Sequence, residues 1–200
     1  MAAQRKTFPR LFLAARAEPF RLSGDRVFLR APERWDYGDW ASLRARSRGF
    51  LTPWEPSWPA DALSRANFRA RVARYAEDWR TDQGYNFFIF RDDEAIVGGV
   101  GLSNIRRGVA ETASLGYWIG EPYARQGYMT AALPLLLDFA FDRLRLHRIE
   151  AACLPTNVPS RALLMRTGFQ QEGYARNYLL IDGKWQDHLL FAIVREDWRG

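Results

Sequence analysis

The chain has 200 residues, 48% apolar and 26% charged, which fits a single soluble domain large enough to bury a full core. No apolar run approaches the roughly eighteen residues that a membrane helix needs. The net charge of +6 points to an anionic partner, either a phosphorylated cofactor or RNA in a large assembly, or else to a solvated basic surface. No concentrated Lys/Arg block with interleaved aromatics appears, which argues against direct, sequence-specific nucleic-acid recognition. The single cysteine, Cys153, allows no internal disulfide and sits in an apolar run, as a small buried residue does. His147 and His188 lie far apart, so there is no zinc-ligand spacing and no metal is expected. A cytoplasmic location follows by default.

Residues 1–25 are basic until Glu18, and their apolar run, Leu11–Ala15, is too short for a signal-peptide core. They read as a lead-in, and Val27–Arg30 as the first strand. Trp35–Arg48 reads as a helix ending at Gly49. The stretch from Phe50 to Pro59 carries Pro53, Pro56 and Pro59, which exclude a helix interior, with Trp54 and Trp58 among them. It is either a packed plug or a binding wall. Asp61–Arg80 reads as a second helix, with Asp61 and Ser64 as rival N-caps. Phe87–Arg91 and Ala95–Leu102 make a hairpin, and Gly98, Gly99 and Gly101 mark a bulge or a close backbone approach. Glu111–Ile119 is the next strand.

After Gly120, Glu121 and Pro122 a helical pattern starts at Gly127, with Leu133, Leu136, Leu137, Ala140, Phe141 and Leu144 at three- and four-residue steps. Pro134 inside it should kink the helix or push its regular part later. The amides of Arg125–Thr130 (Arg125, Gln126, Gly127, Tyr128, Met129 and Thr130) then sit at a helix N-terminus. They lack intrahelical partners, and the dipole adds partial positive charge. Gly127 lets an anion approach the backbone. The stretch is a diphosphate cradle on this reading and an ordinary strand–helix connection on the other. It is neither a Walker loop nor a GxGxxG fingerprint.

His147–Leu154 reads as a strand. Asn157 caps a short helix that Gly168 ends, with Phe169 packing back. Glu172–Ile181 and Trp185–Val194 pair across Asp182-Gly183. The order β, α, α, β, β, β, α, β, α, β, β gives an α/β fold: a mixed sheet with helices on its faces.

This order, with Arg-Gln-Gly-Tyr-Met-Thr after the fourth strand and Asn157…Gly168-Phe169 after the fifth, resembles the GNAT-type N-acetyltransferase superfamily. Phe50-Leu51-Thr52-Pro53-Trp54-Glu55-Pro56 and the tail from Glu172 to His188 are similar to the RimJ/RimL group of ribosomal-protein alanine N-acetyltransferases, on its RimJ side. The resemblance spans about residues 26–198, which it makes the acetyltransferase domain. It implies a GNAT fold, mostly antiparallel, with a V-shaped splay between the fourth and fifth strands that holds acetyl-CoA. The diphosphate would lie on Arg125–Thr130. Backbone amides of Tyr117, Trp118 and Ile119 would hold the pantetheine and the acetyl carbonyl, and Asn157 would touch the cofactor arm. Ser160 falls where the RimL branch has its proton donor to the thiolate; as a serine at a helix start it also suits a cap partner.

Three positions depart from the family. Ala124 and Met129 stand where the loop usually carries Gln or Arg and a second Gly or Ala. Leu164 replaces a tyrosine acid. Leu179, counted on from Ser160, replaces a glutamate base. The base is therefore open between Glu55, Glu111 and water. Glu55 in its aromatic loop is the residue expected to serve. Tyr178 and Trp185 either line a substrate groove or pack the last hairpin.

The resemblance implies direct transfer, in a ternary complex, from acetyl-CoA to the N-terminal amine of a protein, an alanine of a ribosomal protein, with association to the ribosome. A small-molecule amine acetyltransferase and a ribosome-associated assembly factor with little catalysis are the alternatives.

Overall fold

The computed structural model describes residues 20–199. Eight strands form one sheet in the order β1-β2-β3-β4-β5-β6-β8-β7. They are β1 (Arg21–Ser23), β2 (Val27–Arg30), β3 (Gly84–Arg91), β4 (Ile96–Arg106), β5 (Thr112–Ile119), β6 (Arg148–Cys153), β7 (Gln170–Ile181) and β8 (Lys184–Val194). All neighbours are antiparallel except β5 and β6. Strand β1 falls inside the expected lead-in, so the fourth and fifth strands of the sequence reading are β5 and β6. The rest of that lead-in, through residue 19, lies outside the described residues.

Helices cover both faces. On one lie α4 (Tyr128–Asp138), continued by a wider π turn through Arg143, and α5 (Val158–Arg166). On the other lie α1 (Tyr37–Arg46), the single turn α2 (Arg48–Leu51) and α3 (Arg65–Arg80). Side-chain alternation along a strand builds two cores from one sheet. Phe87 and Ile89 face α4 with Leu133, Leu136 and Leu137, while Phe88 and Phe90 face Trp40, Leu43 and Phe68. Phe68 is fully buried, so Phe68→Ala removes about 3–5 kcal/mol of stability.

Several local expectations are corrected. The helix expected over Trp35–Arg48 is split at Ser47, a fully buried residue whose hydroxyl accepts the Glu121 amide at 2.9 Å. The chain breaks there to make that long-range bond. Ser64, not Asp61, caps α3; its Oγ accepts the Asn67 amide at 3.1 Å. Pro134 does not delay α4, which is regular from Tyr128; the ladder widens only at Phe139–Arg143. The glycines of β4 mark both a bulge and a close approach. The register shifts beside Ile89 and Phe90, and a Cβ on Gly99 would stand 2.4 Å from the Trp118 indole nitrogen. Among the described residues no helix is long and apolar enough to cross a membrane.

Candidate active site

Strands β5 and β6 pair at only three positions: Thr112 with Arg148, Ala113 with Ile149 and Ser114 with Glu150. Beyond them β5 runs on to Ile119 and β6 to Cys153 with no bridge between the two. The sheet opens there into a V. Main-chain groups of Leu115–Ile119 on the β6 side have no strand partner, and Tyr117, Trp118 and Ile119 lie along that open edge.

Helix α4 starts beside the V. Gly127 is its N-cap with φ +83°, and no side chain caps the first turn. A side chain at Gly127 would be strained, and its Cβ would meet an Arg26 guanidinium nitrogen at 3.0 Å. Arg125 also adopts positive φ, at +60°, which turns the chain into the cap. The Gln126 side-chain Nε2 donates to the Pro122 carbonyl at 2.7 Å and holds the loop closed. The result is an uncapped helix N-terminus with Arg26 and Arg125 near it, a donor set that fits a diphosphate. Arg26 escaped the sequence reading, because it lies a hundred residues before the loop; its cation over the Tyr128 ring, 5.3 Å from the centroid, brings it there.

Across the V, Asn157 caps α5 as expected: its Oδ1 accepts the Ser160 amide at 3.1 Å. That bond fixes the start of α5 and, with it, Ser160. The Ser160 and Tyr117 hydroxyls are hydrogen-bonded at 2.6 Å. Tyr117 was expected to contribute only its amide; its side chain reaches across the opening to α5. Burial pushes the Tyr117 hydroxyl well above its ordinary pKa, so it stays protonated through neutral pH. Cys153, also at the V, is buried, and its thiol is raised by burial despite a bond from Ser160. It is held as a neutral thiol, unlike an activated nucleophile. Leu164 lies fully buried in the core.

Trp118, next along β5, points to the opposite face. There it lines a groove of about 470 Å³. Gly99, Gly101 and Gly116 leave its floor low, Asn86 and Ser103 add polar groups, and the 55–59 loop with α1 and α3 forms its walls. A Cβ at Gly116 would meet nothing within 4 Å, so this floor position is open space.

The wall is cross-linked by side chains. Arg44 donates to both Glu55 oxygens, at 2.8 and 2.6 Å, and the Trp58 indole donates to Glu55 Oε2 at 2.8 Å. The Arg44 guanidinium also lies against two indoles, 4.2 Å from the Trp58 centroid and 4.8 Å from that of Trp118. The hairpin tip joins the same wall: the Asp182 amide donates to the Glu55 carbonyl at 3.0 Å. Glu55, the residue expected to serve as base, is thus an ion-paired member of the wall. It lines the groove, but both oxygens already accept charged or indole donors.

Glu111 is placed at the closed end of the V, where it accepts from the Gly108 amide at 2.8 Å and from Arg107 at 3.1 Å. That removes it from the open end. Tyr178, Leu179 and Trp185 stand exposed on the hairpin and do not line the groove. Among the described residues no cluster of His, Cys, Asp and Glu could hold a metal.

An uncapped helix start, a splayed pair of strands and a groove on the opposite face meet at β5, the arrangement of an acetyl-CoA-dependent N-acetyltransferase. The Acetyltransferase (GNAT) domain family matches residues 26–170, and the chain belongs to that family. It is 37% identical over 179 residues to the Escherichia coli [ribosomal protein uS5]-alanine N-acetyltransferase, covering 89% of this chain and 92% of that one. It is 35% identical to the Bacillus subtilis probable N-acetyltransferase YjcK, covering 88% and 98%. Among solved structures it superposes on Mycobacterium smegmatis RimJ in complex with CoA-disulfide with a TM-score of 0.83 and 34% identity, covering 87% of this chain and 84% of that one. The homologues are thus RimJ/RimL-type enzymes.

Proposed function

We propose that the protein transfers acetyl from acetyl-CoA directly to the α-amine of a protein N-terminus, an alanine of a ribosomal protein, in the cytoplasm. The observation that carries the reading is the meeting of two sites on β5. Tyr117 faces the cofactor side and Trp118 the acceptor groove, so the strand presents its edge to both substrates. The E. coli relative's named substrate, the alanine of uS5, supports the acceptor class.

The donor side divides as follows. Arg26, Arg125 and the amides of Gln126, Gly127, Tyr128, Met129 and Thr130 hold the diphosphate. Amides along Tyr117–Ile119 hold the pantetheine and polarise the thioester carbonyl, and Asn157 keeps α5 in place beside the cofactor arm. The amine nitrogen attacks the carbonyl carbon and the carbon–sulfur bond breaks. Ser160 gives its proton to the leaving sulfur, the Tyr117 hydroxyl, 2.6 Å away, reprotonates Ser160, and solvent, which takes up the amine's proton, returns one to Tyr117. Both hydroxyls are protonated at neutral pH, as this direction of transfer requires.

No side chain is needed as base. An α-amine has a pKa near roughly 8, so about a tenth is neutral at pH 7. The Arg44–Glu55 pair leaves no free carboxylate in the groove to stabilise the ammonium form. Water takes the proton. Glu55 acts by holding the wall.

The test is turnover with a peptide that begins with alanine, followed by thiol release and mass spectrometry. Transfer to the peptide α-amine supports the reading. Transfer only to small amines makes the protein a small-molecule acetyltransferase, and transfer to neither leaves an assembly factor associated with the ribosome. Mass spectrometry of ribosomal proteins from cells with and without the chain identifies the acceptor.

A further inference from the structure

Outside the groove proper, helix α3 carries a second, shallower hollow lined by Asn67, Ala70, Arg71 and Arg74. Asn67 and Arg71 line both hollows, so the second is the outward continuation of the first. Its cations are uncompensated. Among the described residues no carboxylate makes an ion pair with Arg71 or Arg74, while Glu77, the nearest acidic residue along α3, is paired with Arg80 at 2.5 Å. Arg71 is oriented by the Tyr75 hydroxyl at 3.3 Å, and Arg74 stands over the same ring, 5.5 Å from its centroid. One tyrosine thus positions both guanidiniums. Three residues apart on a helix, they are spaced by a rise of about 4.5 Å on one face, close enough for a single carboxylate to lie between them.

The interior of the groove offers no acidic group to hold an acceptor: Glu55, the carboxylate that lines it, is bound to Arg44. Arg44 and Glu55 cancel, so an acceptor that enters amine first finds no free carboxylate to hold its amine, and the uncompensated charge along its path is that of Arg71 and Arg74 at the mouth. We infer that the acceptor is a polypeptide whose N-terminal residue is followed within a few positions by acidic side chains, which dock on Arg71 and Arg74 at the groove mouth. This rests on the protein N-terminus reading above. The arrangement separates two tasks. The arginines anchor the chain by its carboxylates, and the ion-paired wall leaves no free carboxylate to hold the amine as a cation.

The experiment compares three alanine-initiated peptides of equal length, with glutamate, glutamine or lysine at several of the following positions. Each is assayed against the native protein and against the Arg71→Glu/Arg74→Glu variant at low and moderate salt. The native protein should favour the glutamate peptide over the lysine peptide by tenfold or more in kcat/KM. The difference should lie mainly in KM and shrink with salt. The charge-reversed variant should invert the order. Retained CoA affinity shows that the variant is folded; should it fail to fold, Arg74→Glu alone, with an exposed side chain outside any ion pair, serves in its place. Equal kcat/KM for the three peptides in the native protein, or a preference that survives reversal, overturns the inference while leaving α-amine transfer standing. Loss of ribosomal RNA binding in the variant with unchanged peptide kinetics also overturns it and assigns the patch to nucleic acid. No turnover of any peptide rejects the parent reading instead.

Discussion

The two proposed substrate sites on either side of β5 are built from different materials. The donor side is mostly backbone: a positive-φ glycine, an uncapped helix start and the unpaired edge of a splayed strand. The acceptor side is mostly side chain: an arginine between two indoles, bidentate to a glutamate, with the hairpin tip tied to the same loop. A diphosphate and an amide-rich arm are invariant ligands, and main chain recognises them whatever the side chains. An acceptor differs from enzyme to enzyme, and side chains can change with it. Variants should therefore separate cleanly into those that move CoA and those that move the acceptor.

The largest effect is expected where the two sites share chemistry. Ser160→Ala removes the proton donor and should lower kcat by about a hundredfold, the low end for a general acid. CoA affinity should barely change. Tyr117→Phe should cost less, and the double variant little more than Ser160→Ala alone. Additive losses, measured by steady-state kinetics at saturating substrates, would show that the hydroxyls act separately.

On the donor side, Gly127→Val forces a branched side chain into the left-handed region at φ +83°. It should weaken CoA binding roughly thirty-fold, about 2 kcal/mol, in calorimetry. Undiminished affinity would displace the diphosphate from this loop.

On the acceptor side, Arg44→Ala leaves the half-buried Glu55 carboxylate without its partner, at a cost of about 1–3 kcal/mol. Thermal melting should drop by about 3–8 °C and acceptor KM should rise, with CoA affinity intact. Glu55→Gln should keep the shape of the kcat–pH profile of the native protein. A deficit that disappears at high pH would restore Glu55 as the base.

A gentler probe is Gly116→Ala. Its new methyl meets no atom within 4 Å, so stability should stay within about 0.5 kcal/mol while acceptor KM rises severalfold. If CoA binding weakened instead, the floor of the groove would belong to the donor.

The smallest effect concerns alkaline stability. Burial raises the Tyr117 pKa in the folded state above the ordinary value near roughly 10. The stability linked to its proton is complete below that value and is lost as pH rises through it toward the folded pKa. Tyr117→Phe should therefore flatten the decline in melting temperature above pH 10.

Legibility in the sequence followed the same division. Caps are local, so Asn157, Gly127 and Gly168 announced their helix ends within a few residues, and the loop proposed to hold the diphosphate could be placed at a helix start before any fold was known. The strand through Tyr117 and Trp118 was also readable, but only its backbone was given a role, and that the two side chains serve opposite faces emerged from the structure. The acceptor wall was not readable. Arg44, Glu55, Trp58 and Trp118 come from three separate segments, and nothing in the spacing says that a guanidinium will lie between two indoles. Nothing near Glu55 in the sequence announces Arg44 as its partner, because Arg44 is on another element. Strand β1, three residues with no alternation to speak of, was hidden for a different reason: its pairing with β2 is a property of the sheet edge.

The bond from the Asp182 amide to the Glu55 carbonyl has a consequence for assembly. It joins the last hairpin to a loop in the first third of the chain, so it closes one of the longest loops in the fold. Loop closure of that span is entropically late. Arg26 aside, the proposed donor cradle from β5 through α5 closes shorter loops, such as the 43 residues between Tyr117 and Ser160, and is expected to assemble earlier. A chain emerging from synthesis thus gains the means to bind CoA before it has a finished acceptor wall, and its specificity is the last property to fold.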